Sequence, residues 1–364
     1  MRRVLSILLI VANILIGLAL MASAWAGLLN PDTCSAAPLM VMALPVLVPL
    51  MLAVTLADLI WKRMMLVWAV PCLMVAYPTI LDAFPVNGTP SELTPAEKER
   101  SFTLLSYNAM DYTTRSGRYP ISYNPTLAYI MDMDADIACL QETQYFRRTD
   151  WTRISGAQLD SVRRHYPHII FDEPTALTIM SRYPLHKLYG YTFNRPGGGS
   201  ILVSRVTMPE GQLTVFSLHL RSMTFSETEK DAYNNLAHGR RGAIKSTSLS
   251  MVRKLETAAV DRAEQTDTLL HLIERYAPAG TPAVICGDFN DVPGSYPLRQ
   301  LDRVGFREVY PVVGRGYMPT YNADRFLFTI DHVLWRGDIR PHSLVRGNAT
   351  LSDHYPLLTT FLWQ

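Results

Sequence analysis

The sequence predicts a layered α/β domain with two β-sheets, preceded by helices that cross a membrane. Residues 4–84 of the 364-residue chain are strongly apolar and almost uncharged, whereas the remainder has the mixed composition of a water-soluble domain. From residue 102 onward, short apolar or β-branched runs alternate with longer amphipathic stretches, a pattern typical of α/β domains. The net charge of +2 gives no sign of a global basic surface for nucleic acid.

The apolar region contains three stretches, at residues 4–29, 38–57 and 64–80. A transmembrane helix needs about 20 apolar residues, so the third stretch is at the short end of the range. Arg2 and Arg3 precede the first stretch and Lys62 and Arg63 precede the third, whereas the intervening loop has no basic residue. The positive-inside rule therefore places the soluble part outside the cytoplasm, on the periplasmic side. The predicted organisation is a membrane anchor (1–84), a linker (85–100) and a soluble domain (101–364) of a multi-pass membrane protein.

Two alternatives to this topology remain open. Residues 1–24 have the basic start, apolar stretch and Ala22-Ser23-Ala24 end of a cleaved signal peptide, although the stretch is longer than usual. The third stretch could instead lie along the membrane interface, which would leave the soluble domain in the cytoplasm.

In the soluble part, nine runs of residues predict strands and two predict helices. The strands are 102–107, 137–140, 169–171, 176–181, 201–207, 213–220, 283–286, 329–334 and 357–363, and the helices are 125–133 and 256–276. Residues 221–255 are polar and basic, and they predict either a solvated insertion or a mobile lid over an anionic substrate. Cys139 and Cys286 are expected to be small buried side chains, with a disulfide between them left open.

Polar residues follow many of these strands and would collect along one rim of a sheet. The segments are Ser106-Tyr107-Asn108, Leu140-Gln141-Glu142-Thr143, Ser217-Leu218-His219, Gly287-Asp288-Phe289-Asn290-Asp291, Ile330-Asp331-His332 and Ser352-Asp353-His354. Carboxylate, amide and imidazole groups on one rim are suited to hold a hard cation and to attack a phosphoester. The sequence therefore predicts phosphoester chemistry.

The carboxylates and the amide have distinct predicted tasks. Glu142 ends a buried strand, which suits a ligand of Mg²⁺ or Mn²⁺. Asp288 and Asn290 are two residues apart, so strand alternation directs both to one point. Asp288 is predicted to orient or deprotonate the attacking water, and Asn290 to hold a phosphate oxygen or the leaving side. An Asx-type turn is compatible with the same residues.

The histidines divide into two groups. His354 opens the last strand, and Asp331 is the predicted partner that fixes its tautomer. His219 ends another strand and is predicted to donate to a phosphate oxygen. His332 alternates to the face opposite Asp331 and is expected to be structural.

Taken together, the ordered segments resemble the endonuclease/exonuclease/phosphatase superfamily over residues 102–364. This resemblance implies a DNase I-like fold, a four-layered α/β sandwich with two mixed β-sheets and the site at one end. It also implies that Glu142 is the main metal ligand, with Asp353 supporting the metal and Asn108 contacting metal or phosphate. His219 and Asn290 would bind the phosphate, Asp288 would position the water, and the His354–Asp331 pair would complete the site.

The resemblance implies a metal-dependent phosphoester hydrolase of the membrane-anchored bacterial type. Two substrate classes remain open: nucleic acid, and a lipid headgroup such as that of a phospholipid or sphingomyelin, or an inositol phosphate. A lipid substrate would favour exposed apolar loops, for which residues 189–193 and 317–328 are the candidates. A catalytically inactive scaffold is a third hypothesis, and no obligate protein partner can be inferred.

Overall fold

The computed structural model describes residues 2–61, 63–113, 123–144, 154–195, 197–222, 244–323 and 327–364. Lys62, which contributed to the predicted topology, and residues 223–243 of the predicted insertion lie outside the described residues. The last part of that insertion, from Ile244, belongs to a long helix that begins 12 residues before its predicted start.

The N-terminal region folds into four helices. These are α1 (Arg2–Ala26), α2 (Ala37–Met42), α3 (Leu44–Trp61) and α4 (Leu66–Ala83). Three segments are long and apolar enough to cross a membrane, Ser6–Ala26, Leu44–Trp61 and Arg63–Ala83. Inside this bundle, the buried Asn13 side chain donates to the Asp58 carboxylate over 3.0 Å, and such interhelical hydrogen bonds stabilise helix pairs in lipid.

Helix α2 was not separated from the second apolar stretch in the sequence analysis. In the structure, residues 37–42 form their own short helix, and the second candidate span begins only at Leu44. The reason is tertiary: Ala37 and Val41 are buried against the soluble domain, where they contact Val292 and Ile330. The segment between the first two candidate spans is therefore part of the contact between the N-terminal helices and the soluble domain.

The soluble domain has two six-stranded sheets. Its strands are β1 (Ser101–Asn108), β2 (Ile137–Gln141), β3 (His168–Asp172), β4 (Leu177–Ser181), β5 (Leu185–Thr192), β6 (Ser200–Met208), β7 (Gly211–His219), β8 (Ala283–Asp288), β9 (Arg307–Glu308), β10 (Asp331–Arg336), β11 (Ile339–Arg346) and β12 (Leu357–Trp363). The first sheet has the order β11-β12-β1-β2-β4-β3 and the second β5-β6-β7-β8-β10-β9. Each is mixed, because β1 pairs in parallel with β2, and β7 with β8, among antiparallel neighbours.

Six helices accompany the sheets in the described part of this domain. They are α5 (Pro95–Glu99), α6 (Pro125–Asp132), α7 (Gly156–His165), α8 (Ile244–Tyr276), α9 (Tyr296–Arg303) and α10 (Val309–Val313). One apolar cluster fills the space between the sheets, a second joins α6 and α7 to the first sheet, and a third joins α8 and α9 to the second. The result is the four-layered, DNase I-like sandwich with two mixed sheets that the sequence predicted, preceded by candidate membrane spans.

The central cysteines lie between the sheets. Cys139 of β2 and Cys286 of β8 are fully buried in the inter-sheet cluster, and both are free thiols. The expectation of small buried side chains is therefore confirmed, and there is no disulfide between them.

Candidate active site

The topology of the two sheets brings the predicted residues to one end of the sandwich. Because β1 and β2 are parallel, and β7 and β8 are parallel, their carboxyl ends lie at the same edge. β10 and β12 run antiparallel to these strands, so their first residues lie at that edge as well. In the second sheet, Asp288 lies directly opposite Asp331 of β10 on one side and opposite His219 of β7 on the other. We call this edge the catalytic end.

Two carboxylates from different sheets meet at the catalytic end. The Asn108 amide nitrogen donates to both Glu142 Oε1 and Asp288 Oδ2, each over 3.1 Å. His219 Nε2 lies 3.9 Å from the same Glu142 oxygen and 3.6 Å from the same Asp288 oxygen. The Glu142 side chain is 35% exposed and that of Asp288 only 2%, so the pair extends from the surface into the interior.

A second group adjoins Asp288. His354 Nδ1 lies 2.8 Å from Asp331 Oδ2, and His354 Nε2 lies 3.5 Å from Asp288 Oδ2. The ligand atoms of these three buried residues all lie within 4.8 Å of one another. The predicted partners Asp331 and His354 are thus in contact, and Asp331 can fix the imidazole so that its other nitrogen faces Asp288.

The two other predicted site residues make different contacts. Asn290 donates its amide to the backbone oxygen of Leu220 over 3.0 Å, and its backbone N–H donates to Asp288 Oδ1 over 2.8 Å. It thereby ties the loop after β8 to the end of β7 and orients Asp288. Asp353 is half-buried, and its carboxylate lies 3.2 Å from the Ser352 hydroxyl. Among the described residues, the tight cluster of acidic and imidazole groups is Asp288, Asp331 and His354, and the predicted metal ligands Glu142 and Asp353 do not belong to it. The third predicted ligand, Asn108, contacts Glu142 and Asp288.

Three supporting residues had no role predicted from the sequence. The Thr320 hydroxyl accepts the backbone N–H of Asp331 over 3.0 Å, and Ser352 donates to the backbone oxygen of Asn108 over 2.8 Å. The ring of Tyr321 packs edge-on against His354, with ring centroids 5.1 Å apart. Ser352 was visible within its motif, but Thr320 and Tyr321 are separated from the motifs along the chain, so no local signal pointed to them.

Backbone strain marks the two loops that carry the polar groups. Glu142 and Asn290 both have φ of 51°, in the left-handed region that residues other than glycine seldom adopt. Gly287 has φ of 141°, and a Cβ there would lie 1.9 Å from the backbone oxygen of Leu218. Only glycine therefore allows β8 to approach β7 this closely beside Asp288.

Behind the site, a buried network of charges holds the loop after β8. Arg262, one of the largest fully buried side chains, pairs with Asp291 over 2.9 Å. The backbone oxygen of Asp291 lies 2.9 Å from His332 Nε2, and His332 Nδ1 lies 2.6 Å from Glu308. Since His332 faces away from Asp331 and into this network, its predicted structural role agrees with its contacts.

The buried charges shift the proton affinities of the site. Burial raises the pKa of Asp288, against the lowering effect of His354. Burial alone would lower the pKa of His354, but the carboxylates of Asp331 and Asp288 outweigh it and raise that pKa to about 10. At neutral pH His354 is therefore an imidazolium, which can donate a proton or a hydrogen bond but cannot accept a proton.

This shift predicts a pH-dependent stability in the metal-free protein. A histidine whose folded pKa lies above its ordinary value of 6.5 stabilises the fold fully below about pH 6.5, and this contribution is lost as the pH rises through about 10. We expect the stability advantage of the wild type over His354→Gln, measured by thermal unfolding with EDTA, to shrink steadily between pH 6.5 and 10. An advantage independent of pH would contradict the charged state of His354.

The donor set of the site fits a hard cation. Asn108 and His219 each lie close to both the Glu142 and the Asp288 carboxylates. Among the described residues, no Lys or Arg pairs with either carboxylate. Converging carboxylate and amide groups are the ligands that Mg²⁺ and Mn²⁺ prefer. In this arrangement the Asn108 amide oxygen accepts the Met110 N–H over 3.1 Å, so a role as metal ligand would require that oxygen to turn.

The model of the endonuclease/exonuclease/phosphatase family matches residues 105–354. The chain belongs to this family. The match contains every residue of the site and ends on His354 itself. Members of the family hydrolyse phosphoesters, and they typically use divalent metals.

Solved structures of the family are similar to this chain. A family member from Beutenbergia cavernae is 18% identical over 72% of this chain and 72% of its own, with a TM-score of 0.49. Truncated TDP2 from Caenorhabditis elegans is 15% identical over 72% of this chain and 98% of its own, with a TM-score of 0.44. The human Nocturnin catalytic domain is 12% identical over 73% of this chain and 95% of its own, with a TM-score of 0.45. No curated protein sequence matches the chain.

Proposed function

We propose that this protein is a divalent-metal-dependent phosphodiesterase, nuclease-like in its chemistry and anchored in a membrane with its catalytic domain outside the cytoplasm. The observation that carries the proposal is the convergence of Glu142, Asp288 and the His354–Asp331 pair at one point between the two sheets. Hydrolysis of a phosphodiester needs charge neutralisation, an oriented water and stabilisation of the crowded transition state. This group of residues supplies each of these functions.

Asp288 is the proposed acceptor of the proton from the attacking water. Its Oδ1 is held by the backbone N–H of Asn290, and burial makes the carboxylate a stronger base than an exposed aspartate. Its Oδ2, which faces Asn108, His219 and His354, points to where a phosphate would bind. A water held there would attack the phosphorus, and its proton would pass to Asp288. The bond from the phosphorus to the leaving alkoxide would break, and that alkoxide would take a proton from solvent.

The cationic His354 and the neighbouring His219 are the proposed donors to the phosphate. Asp331 stabilises the charged form of His354, so its Nε2–H can donate to a non-bridging oxygen as negative charge develops there. His219 is half-buried beside Glu142, where its Nε2 can do the same for a second oxygen. Asn108 and Asn290 complete the proposed binding of the phosphate.

Glu142, Asp353 and Asn108 are the proposed ligands of a divalent cation, Mg²⁺ or Mn²⁺. The bound cation would neutralise the charge of the phosphate. The partially exposed position of Glu142 leaves access from solvent, whereas Asp288 and Asp331 remain shielded from it.

The test is hydrolysis of bis(p-nitrophenyl) phosphate by the full chain in detergent. We expect turnover with Mg²⁺ or Mn²⁺, loss of at least about a hundredfold on addition of EDTA, and recovery when excess metal is restored. Circular dichroism with and without EDTA serves as the control, because the loss must occur in a folded protein. Turnover that is unaffected by chelation would refute the proposal.

A further inference from the structure

The membrane anchor meets the soluble domain at its catalytic end. Ala26 of α1 and Val41 of α2 form one apolar cluster with Val292, two residues after Asn290, and Ile330, directly before Asp331. Tyr321 packs on the same cluster and on His354, so a single residue separates the anchor from the site. The loops that carry the catalytic carboxylates are thus the ones against which the anchor is docked.

Polar and backbone contacts fix this junction. A Cβ at Gly27 would lie 1.8 Å from the backbone oxygen of Gly294, so the end of α1 touches the loop after β8 directly. Arg299 donates to the Thr79 hydroxyl over 2.7 Å and pairs with Asp82 over 3.1 Å, both in the last turns of α4. These contacts come from the ends of the spans and from the loop between them, not from the middle of the spans.

The path of the linker supports the same orientation. The chain leaves α4 near Arg299, yet β1 begins at Ser101, at the end of the sandwich opposite Asn108. Between them, Asn87 donates to the backbone oxygen of Gly314, and Glu97 pairs with Arg340, near the distal start of β11. The linker therefore runs away from the membrane along the side of the domain before β1 returns toward it.

Exposed apolar side chains lie at the catalytic end as well. Leu327, 57% exposed, is in the loop before β10, and Val345 and Tyr191 are exposed at strand ends on the same edge. At the opposite end Val304 is 39% exposed. A surface that contacts lipid headgroups needs apolar side chains beside its polar site.

Three arginines near this end are paired with acids. Arg221 pairs with Asp261 over 3.0 Å, Arg195 pairs with Asp261 and Glu264, and Arg262 pairs with Asp291. A nuclease groove would present unpaired cations that follow a strand of phosphates. In the part of the chain that the structure describes, these three side chains do not supply such a groove.

We infer that the catalytic end faces the bilayer and that the substrate is the phosphodiester of a membrane lipid headgroup. This inference rests on the proposed function, because it specifies the substrate of the same site. The anchor holds the solvent-exposed side of the site, at Glu142 and His219, within the headgroup layer. A lipid phosphate can enter the site there without leaving the bilayer. A soluble phosphodiester gains nothing from this placement.

The test uses the full chain reconstituted into vesicles of phosphatidylglycerol, phosphatidylethanolamine and phosphatidylcholine with Mg²⁺ or Mn²⁺. Headgroup release is compared with hydrolysis of the deacylated glycerophosphodiesters, single-stranded DNA and bis(p-nitrophenyl) phosphate. We expect at least about tenfold faster hydrolysis of a lipid than of its deacylated form at equal phosphate concentration, because the bilayer concentrates it at the site. If the chromogenic diester is hydrolysed while the lipids remain intact, or if DNA is cleaved faster than the lipids, the lipid inference is overturned. The proposed phosphodiesterase activity would still stand. Silence on every substrate overturns both.

A pair of variants tests the contact with the bilayer separately. Leu327→Asp places a charge at the surface that should face the headgroups, and Val304→Asp places the same charge at the opposite end of the domain. We expect Leu327→Asp to slow lipid hydrolysis by about tenfold while turnover of the chromogenic diester is unchanged. Val304→Asp should alter neither rate. Equal lipid hydrolysis by the two variants would overturn the proposed orientation.

Discussion

Replacing Glu142 with Gln is expected to reduce metal-dependent phosphodiester hydrolysis by about a thousandfold while leaving the fold intact. The substitution removes one negative charge from the pair of carboxylates that converge on Asn108 and His219. The amide is nearly the same size, and the side chain is 35% exposed, so packing changes little. The loss should be accompanied by weaker Mg²⁺ or Mn²⁺ binding, measured by calorimetric titration of the full chain.

The matched control is Glu210→Gln. Glu210 is an exposed carboxylate in the turn between β6 and β7, at the end of the sandwich away from the site. This variant loses the same charge, and it should retain both turnover and metal affinity. Wild-type turnover in the Glu142 variant at saturating metal would exclude Glu142 as a ligand.

Substitution of His354 or Asp331 by Ala is expected to lower kcat/KM by roughly a thousandfold, and the double variant should be little worse than either single one. The reason is that the two act as a unit: the 2.8 Å contact with Asp331 orients His354 and stabilises its positive charge. Once the imidazole is gone, Asp331 has no partner to support, so its removal costs little more. The measurement is a double-mutant cycle on kcat/KM with the chromogenic diester.

His168→Ala is the control for the loss of an imidazole. His168 begins β3, far from the site along the first sheet, and its substitution should leave kcat/KM close to that of the wild type. Losses from His354→Ala and Asp331→Ala that multiply in the double variant would show that the two residues act independently.

Strands buried on both faces were predictable, because uniformly apolar runs identify them without any knowledge of the fold. β2, β4 and β8 are buried at every position, and each was predicted within two residues of its observed bounds. β5 and β11 were missed because their half-exposed edge positions carry polar residues that weaken the pattern. For the same reason residues 189–193, predicted as an exposed apolar loop, lie mainly in β5, whereas Leu327 in the other candidate loop is indeed exposed.

The sequence by itself was enough to predict phosphoester chemistry and a division into an apolar N-terminal region and a soluble domain. Both depend on local properties: residue types at strand ends, and the length and hydropathy of single segments. Tertiary structure alone decided which groups meet, since Asn108 reaches Asp288 across 180 residues and Thr320 and Tyr321 join the site from a distant loop. It also decided that α2 is separate from the second candidate span and packs in one cluster with Ile330. Such contacts depend on how two sheets and a helical bundle fill space together, a property of the whole chain that no single segment encodes.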